Sequence, residues 1–371
     1  MRHTKSSPFF FETHLPKAID TPDLIPMDVL TLLHLDTPVF IFLCVNIFLA
    51  LGFDYINGFH DAANAIATVV GTRVLTPKIA VLFGAVLNLL GALAGTKVAS
   101  MIGKGIVDPT MVTMPVLSAT LLGAIIWNLI TWYYGLPSSS SHALIGALIG
   151  AVVAHMGGWY PVQFDTLGAK VVYPMILSPL IGIITAYVSM VVLTWIVKRL
   201  SSDTIQRVFG KCQLLSAGFM AYSHGSNDAQ KSMGIIALAV ALATGQKEFE
   251  VHSWIVVVCA AAMGLGTLSG GWRIIRTMGS RVSQLKPIHG CVAETTAALV
   301  IHQATAMGIP LSTTHVITTS ILGVGAAKRW SAVKWGVVGN ILWAWLLTIP
   351  ASAIIAFLIL LGLEQLLPQF R

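Results

Sequence analysis

Charge is what this chain has least of: Asp, Glu, Lys and Arg make up only 10% of its 371 residues, while 56% are hydrophobic and the mean hydropathy is +0.81. That balance excludes an ordinary soluble surface. Cysteine is also scarce. Cys44, Cys212, Cys259 and Cys291 lie in or beside apolar segments with no Cys-x-x-Cys spacing, so neither a structural metal site nor a disulfide framework is expected. Gly-x-Ser-x-Gly is absent, and the Ser, His and Asp motifs each occur twice where a hydrolase needs one asymmetric triad, so no enzyme is expected. Acidic residues are outnumbered 15 to 22, for a net charge of +7. In a chain this apolar the excess speaks of orientation in a membrane, and no nucleic-acid partner is expected.

What is present is a series of apolar runs close to the roughly 20 residues that cross a bilayer as helix. Residues 1–37 are polar and proline-bearing and read as an exposed tail. A first stretch, 38–70, is apolar but interrupted by Asp54, Asn57, Gly58, His60, Asp61 and Asn64, which reads as a broken helix with polar groups at membrane depth. Passes are then expected near 77–99, 115–134, 137–156 and 173–197. A short cytoplasmic loop at 198–211 separates them from a second set near 212–243, 252–271, 288–303, 310–327 and 335–363, whose first member is again expected to be overlong and broken by its Asp motif. The expectation is an all-α polytopic membrane protein of about 10–12 membrane segments, with one repeat over 38–197 and another over 212–371.

The chain writes its polar motifs twice. Gly58-Phe59-His60-Asp61-Ala62-Ala63-Asn64 returns as Gly225-Ser226-Asn227-Asp228-Ala229-Gln230-Lys231, 167 residues on; Gly135-Leu136-Pro137-Ser138-Ser139-Ser140-Ser141-His142 returns as Gly308-Ile309-Pro310-Leu311-Ser312-Thr313-Thr314-His315, 173 residues on. Two motifs in the same order at nearly one offset indicate an internal duplication. Five passes per copy is an odd number, so the copies must lie inverted in the membrane. Charge agrees: with both termini external, the loops assigned to the cytoplasm hold Arg73, Lys78, Lys198, Arg199, Arg273, Arg276, Lys328 and other bases against the single acid Asp203.

Inverted repeats with broken helices belong to secondary transporters, whose site lies between the repeats. Pro137 and Pro310 each read as a helix start with proline in the first turn. The hydroxyls that follow, Ser139, Ser140 and Ser141 in one copy and Ser312, Thr313 and Thr314 in the other, would then join free backbone N–H groups in two cradles for an anion. Asp61 and Asp228 repel an anion and call for a cotransported cation instead. With Asn57, Asn64 and Asn227 they would hold Na⁺ through oxygen ligands or take up a proton. Lys231 stands where the first copy has Asn64, placing a fixed positive charge one turn after Asp228 and favouring H⁺ over Na⁺. Glu294, alone in an apolar run, is either a cation ligand or a helix-packing partner. His142 and His315 either orient the hairpin tips or touch substrate, and His60 shares the place of Asn227 in a common polar role. Trp127, Trp132 and Trp159 read as interfacial anchors.

Taken together, His60-Asp61-Ala62-Ala63-Asn64, Gly225-Ser226-Asn227-Asp228, Gly-Leu-Pro-Ser-Ser-Ser-Ser-His and Pro-Leu-Ser-Thr-Thr-His resemble the signatures of the inorganic phosphate transporter (PiT) family, most of all its bacterial low-affinity carriers. The resemblance spans roughly residues 40–360. It implies import of inorganic phosphate by symport with H⁺ or Na⁺, as the free anion or as a metal–phosphate complex. It also implies re-entrant hairpins carrying the Ser/Thr motifs, a homodimer and a place in the bacterial cytoplasmic membrane. Sulfate or another oxyanion is the alternative substrate. No cofactor beyond the cotransported cation is implied. The central loop is short where many relatives carry a long insertion.

Overall fold

Proline opens and glycine closes many of the helices. Pro38, Pro77, Pro115, Pro174 and Pro287 stand at the first or second helical position, where a missing N–H costs nothing. A computed structural model describes residues 35–104, 107, 111–246 and 249–366. The expected polar tail, Lys247 and the external C-terminus lie wholly or almost wholly outside these residues. Among the described residues there is no strand, only two isolated β-bridges. The helices are α1 (Thr37–His60), α2 (Ala62–Gly71), α3 (Pro77–Ala92), α4 (Lys97–Lys104), α5 (Met114–Tyr134), α6 (Ser140–Met156), α7 (Phe164–Leu167), α8 (Tyr173–Val197), α9 (Ser202–Thr244), α10 (Ser253–Ser269), α11 (Trp272–Arg276), α12 (Pro287–Ala306), α13 (Thr313–Lys328) and α14 (Trp335–Leu366). Single π-helical turns join α7 to α8 and follow α11.

The burial pattern is that of a protein turned inside out. Phe48, Trp195, Ile196, Leu346 and Leu358 are exposed, while Asn46, Asp54, Asn57, His60, Asp61, Asn64, Asp228, Lys231 and Glu294 are buried. Exposed apolar surface of that extent needs a non-aqueous solvent, and the chain is an all-helical membrane protein. Four helical stretches are by themselves long and apolar enough to span: Thr37–Gly71, Met114–Tyr134, Phe164–Val197 and Trp335–Leu366. Ser253–Ser269 with Trp272–Arg281, bent by 58°, makes a fifth. This is fewer than the expected ten or more, because the other helices are short, as α3 and α6 are, or lined with buried polar residues, as α9 is.

Three local expectations are corrected. The stretch 198–211 is helical from Ser202 onward: Ser201 caps α9, accepting from the Thr204 N–H at 3.2 Å, and Asp203 occupies the first turn. At ~1.5 Å per residue its 43 residues extend well beyond a ~30 Å hydrocarbon core. Second, Asp61 interrupts a helix but Asp228 does not. The partners of Asp228 lie on its own helix, Lys231 three residues on and His224 four back, whereas those of Asp61 come mainly from other helices. Third, the pass expected at 77–99 divides at residues 93–96 into α3 and α4.

The packing is reciprocal between the halves. Helix α3 lies along α9 and α10 along α1; α8 lies along α13 and α14 along α6. Each half therefore lends its second and last helices to the other. The crossings use matched close approaches: a Cβ on Gly58 would strike the Met263 carbonyl and one on Gly225 the Asn88 carbonyl. Gly58 and Gly225 hold the same place in the repeated motif, so the duplication reaches into the backbone contacts.

Candidate functional site

The two hairpins are built alike. In each, a helix ends at a left-handed glycine, Gly135 (φ 67°) or Gly308 (φ 69°), and a serine then caps the returning helix. Ser139 accepts from the His142 N–H and Ser312 from the His315 N–H, both at 3.2 Å. Pro137 and Pro310 lie two residues before these caps, outside the helices they were expected to begin; the serines are better N-caps, and the prolines stiffen the approach. The first-turn N–H groups of α6 and α13 have no intrahelical partner, and the two N-termini adjoin. Ser141 donates to the Leu311 carbonyl at 3.3 Å, and the rings of His142 and His315 meet with centroids 4.9 Å apart. His315 also stacks on Trp345, at 3.8 Å, and Trp345 donates to the Pro137 carbonyl at 2.8 Å.

Asp61, at the break between α1 and α2, sits against both tips. Its Oδ2 accepts from Ser140 at 2.7 Å, its Oδ1 meets His60 Nδ1 at 2.7 Å, and Thr314 donates to Oδ1 at 3.4 Å. Ser140 also lies 2.5 Å from Asn57 Oδ1, and Asn64 donates to Thr314 at 2.9 Å and Thr313 at 3.3 Å. The second Asp motif closes the same centre: ligand atoms of Asp61, His224 and Asp228 all lie within 4.8 Å of one another. Lys231, fully buried, holds its ammonium 2.8 Å from Asp228. His60 and Asn227, matched in the repeat, both bond a threonine in the last turn of a hairpin's first helix, Thr131 at 3.0 Å and Thr305 at 2.8 Å.

Thus Asn57, His60, Asp61, Asn64, Ser140, Thr313, Thr314, Asp228 and Lys231 converge, with Ser139 and Ser312 as caps and His142 and His315 packed behind. Several of their buried polar atoms have no hydrogen-bond partner, among them Asn57 Nδ2, Asn64 Oδ1, Asn227 Oδ1 and His142 Nδ1. Unmet capacity of this kind in a buried place is costly unless a ligand uses it. Glu294 stands apart. It is held by Thr68 at 2.5 Å, Gln213 at 3.0 Å and Ser216, away from the Asp61–Asp228 centre. His224 joins the centre unanticipated; the signal was its offset of 167 from Asn57, the same offset that relates Asp228 to Asp61. The ring of Trp132 packs on Phe59 and lies beneath Arg273.

Two helix N-termini that adjoin beside buried carboxylates, in an all-helical membrane protein with reciprocal halves, are the marks of a membrane transporter. The model of the phosphate transporter family matches residues 57–356, and the chain belongs to that family. A probable low-affinity inorganic phosphate transporter of Rhizobium meliloti (strain 1021) is 48% identical over 312 residues, covering 83% of this chain and 92% of that one. Its counterpart in Bacillus subtilis (strain 168) is 43% identical over 330 residues, 88% of this chain and 96% of that one. Among solved structures, one described as the sodium-dependent phosphate transporter has the same fold: the TM-score is 0.78 at 24% identity, over 87% of this chain and 99% of that one.

The anion cradle makes a direct prediction. Ser140→Ala and Thr313→Ala should each raise the apparent Michaelis constant for phosphate by about ten-fold or more, since each removes a hydroxyl donor to an anion, a charged hydrogen bond worth ~1.5–3 kcal/mol. Uptake kinetics unchanged in both variants would assign these hydroxyls to packing.

Proposed function

We propose that this protein imports inorganic phosphate by symport with a cation, and that the cation is H⁺ in preference to Na⁺. The observation that carries the reading is the meeting of all four repeated motifs at Asp61, with Ser140 donated by one hairpin and Thr314 by the other. In this reading phosphate lies between the N-termini of α6 and α13, bound by hydroxyls and amides that can also let it go. The coupling proton resides on Asp61 with His60 beside it. Two features favour the proton: the ammonium of Lys231 already neutralises Asp228, and the third group of the carboxylate centre is the imidazole of His224, a poor ligand for a hard cation that wants oxygen.

The reciprocal packing supports two repeats, 38–197 and 212–371, inverted in the membrane with both termini outside, so that rocking one against the other exposes the centre to each face in turn. Placement in the bacterial cytoplasmic membrane as a homodimer belongs to the same reading. The deciding experiment is phosphate uptake into proteoliposomes with the Na⁺ and pH gradients imposed separately and sulfate added as competitor. Accumulation driven by an inward proton gradient alone, unaffected by sulfate, is expected. Accumulation that requires Na⁺ and ignores pH would turn the two aspartates into Na⁺ ligands.

A further inference from the structure

The halves correspond position for position around the site, and they diverge most where the site would open. On one side Phe59 precedes His60, and Trp132 stands three residues before Gly135; their rings meet edge to face with centroids 5.4 Å apart. The Arg273 guanidinium lies over Trp132 at 5.3 Å and Tyr133 at 4.6 Å and donates to the Tyr133 carbonyl. Tyr55 extends the layer, edge-on to Phe59 at 5.9 Å, with its hydroxyl 2.7 Å from Ser269. This layer lies beside the His60–Thr131 bond.

On the other side the counterpart of Phe59 is Ser226, and the residue three before Gly308 is Thr305. No ring layer forms from these two. In its place is a cavity of about 190 Å³ lined by Lys97, Tyr222, Ser226, Gln230, His302 and Thr305. At ~30 Å³ per water molecule this is room for an oxyanion that keeps part of its hydration. Its wall carries hydroxyls, a lysine and a histidine, and Thr305 bonds directly to Asn227, the neighbour of Asp228.

We infer that this cavity is the outer vestibule through which phosphate approaches the site, and that Phe59, Trp132 and Arg273 form the opposite, inner gate, closed in this structure. The inference rests on the transport reading above and on the orientation in which Arg273 faces the cytoplasm. Asn227, bonded to Thr305 at 2.8 Å and to the Ile309 carbonyl at 3.4 Å, is then a thin outer barrier, and the aromatic layer a thick inner one. Release to the inside requires Phe59 to part from Trp132 and Arg273 to leave the Tyr133 carbonyl. The lysine and histidine of the vestibule favour an anion there before any cation is bound.

Thiol accessibility tests this separately from transport. Ser226→Cys and Thr131→Cys are treated with a membrane-impermeant methanethiosulfonate on right-side-out and inside-out vesicles, over the background of the four native cysteines. Ser226→Cys is expected to react from the outer face only, with the reaction slowed by saturating inorganic phosphate. Thr131→Cys is expected to be unreactive from the inner face until Phe59→Ala is added; if that variant does not fold, Phe59→Leu replaces it, and the protection of Ser226→Cys by phosphate decides. Reaction of Ser226→Cys from the inner face, or equal reaction of Thr131→Cys with and without Phe59, would overturn the gate assignment. Phosphate uptake by the unmutated chain, run in parallel, tells failure of the gates from failure of the transport reading.

Discussion

Asp61→Asn should abolish phosphate accumulation driven by an inward proton gradient while leaving phosphate–phosphate exchange measurable. The side chain is almost fully buried and receives Ser140 at 2.7 Å and Thr314 at 3.4 Å beside His60 at 2.7 Å. Asparagine has the same shape, keeps one oxygen to accept from Ser140, and offers an amide to the imidazole, so the hairpin tips stay seated. What it cannot do is bind and release a proton or carry a charge. A hydrogen bond to a charged group contributes ~1.5–3 kcal/mol, so phosphate affinity should change by about ten- to hundred-fold at most, whereas net coupled transport loses its carrier outright. Exchange needs no net proton movement and is the control for folding. Gradient-driven accumulation by Asp61→Asn at the unmutated rate would remove Asp61 from the coupling role.

How much of this was legible in the sequence follows from where each residue's partners lie. The membrane class and the all-α fold follow from apolar runs, and the duplication from two short motifs, since both signals are local. The break at Asp61 was legible for the same reason: five polar residues and a glycine interrupt one apolar stretch. The continuity of α9 through Asp228 was not, because a carboxylate in an apolar run looks the same whether its partner is on the next helix or one turn along its own. Lys231 and His224 are at helical spacing from Asp228, and that spacing was the available clue. The separation of Glu294 from the centre could not be read, because Thr68, Gln213 and Ser216 reach it from two other helices. The contact of Trp132 with Phe59 was not legible either, because the two rings lie on different helices and tryptophan at a helix end looks the same with or without it.

Lys231→Met is expected to lower stability by about 3–5 kcal/mol, the usual consequence of removing one partner of a buried ion pair. Lys231 is among the largest fully buried side chains, and its ammonium sits 2.8 Å from the carboxylate of Asp228, itself buried. Methionine fills nearly the same volume, so packing is kept and the charge alone is lost. Asp228 then faces Asp61 within the same 4.8 Å centre with no fixed cation between them. Two carboxylates that close repel strongly where the dielectric is low. The penalty therefore belongs to the orphaned charge and not to the missing side chain, and the double variant Asp228→Asn/Lys231→Met should recover most of the loss. Thermal unfolding of the purified protein in detergent, run on the two single variants and the double, measures this as a double-mutant cycle. Equal stability of Lys231→Met and the double variant would show that no charge is orphaned at Asp228, and the argument that the Lys231 ammonium takes the place of a second cation would fall with it.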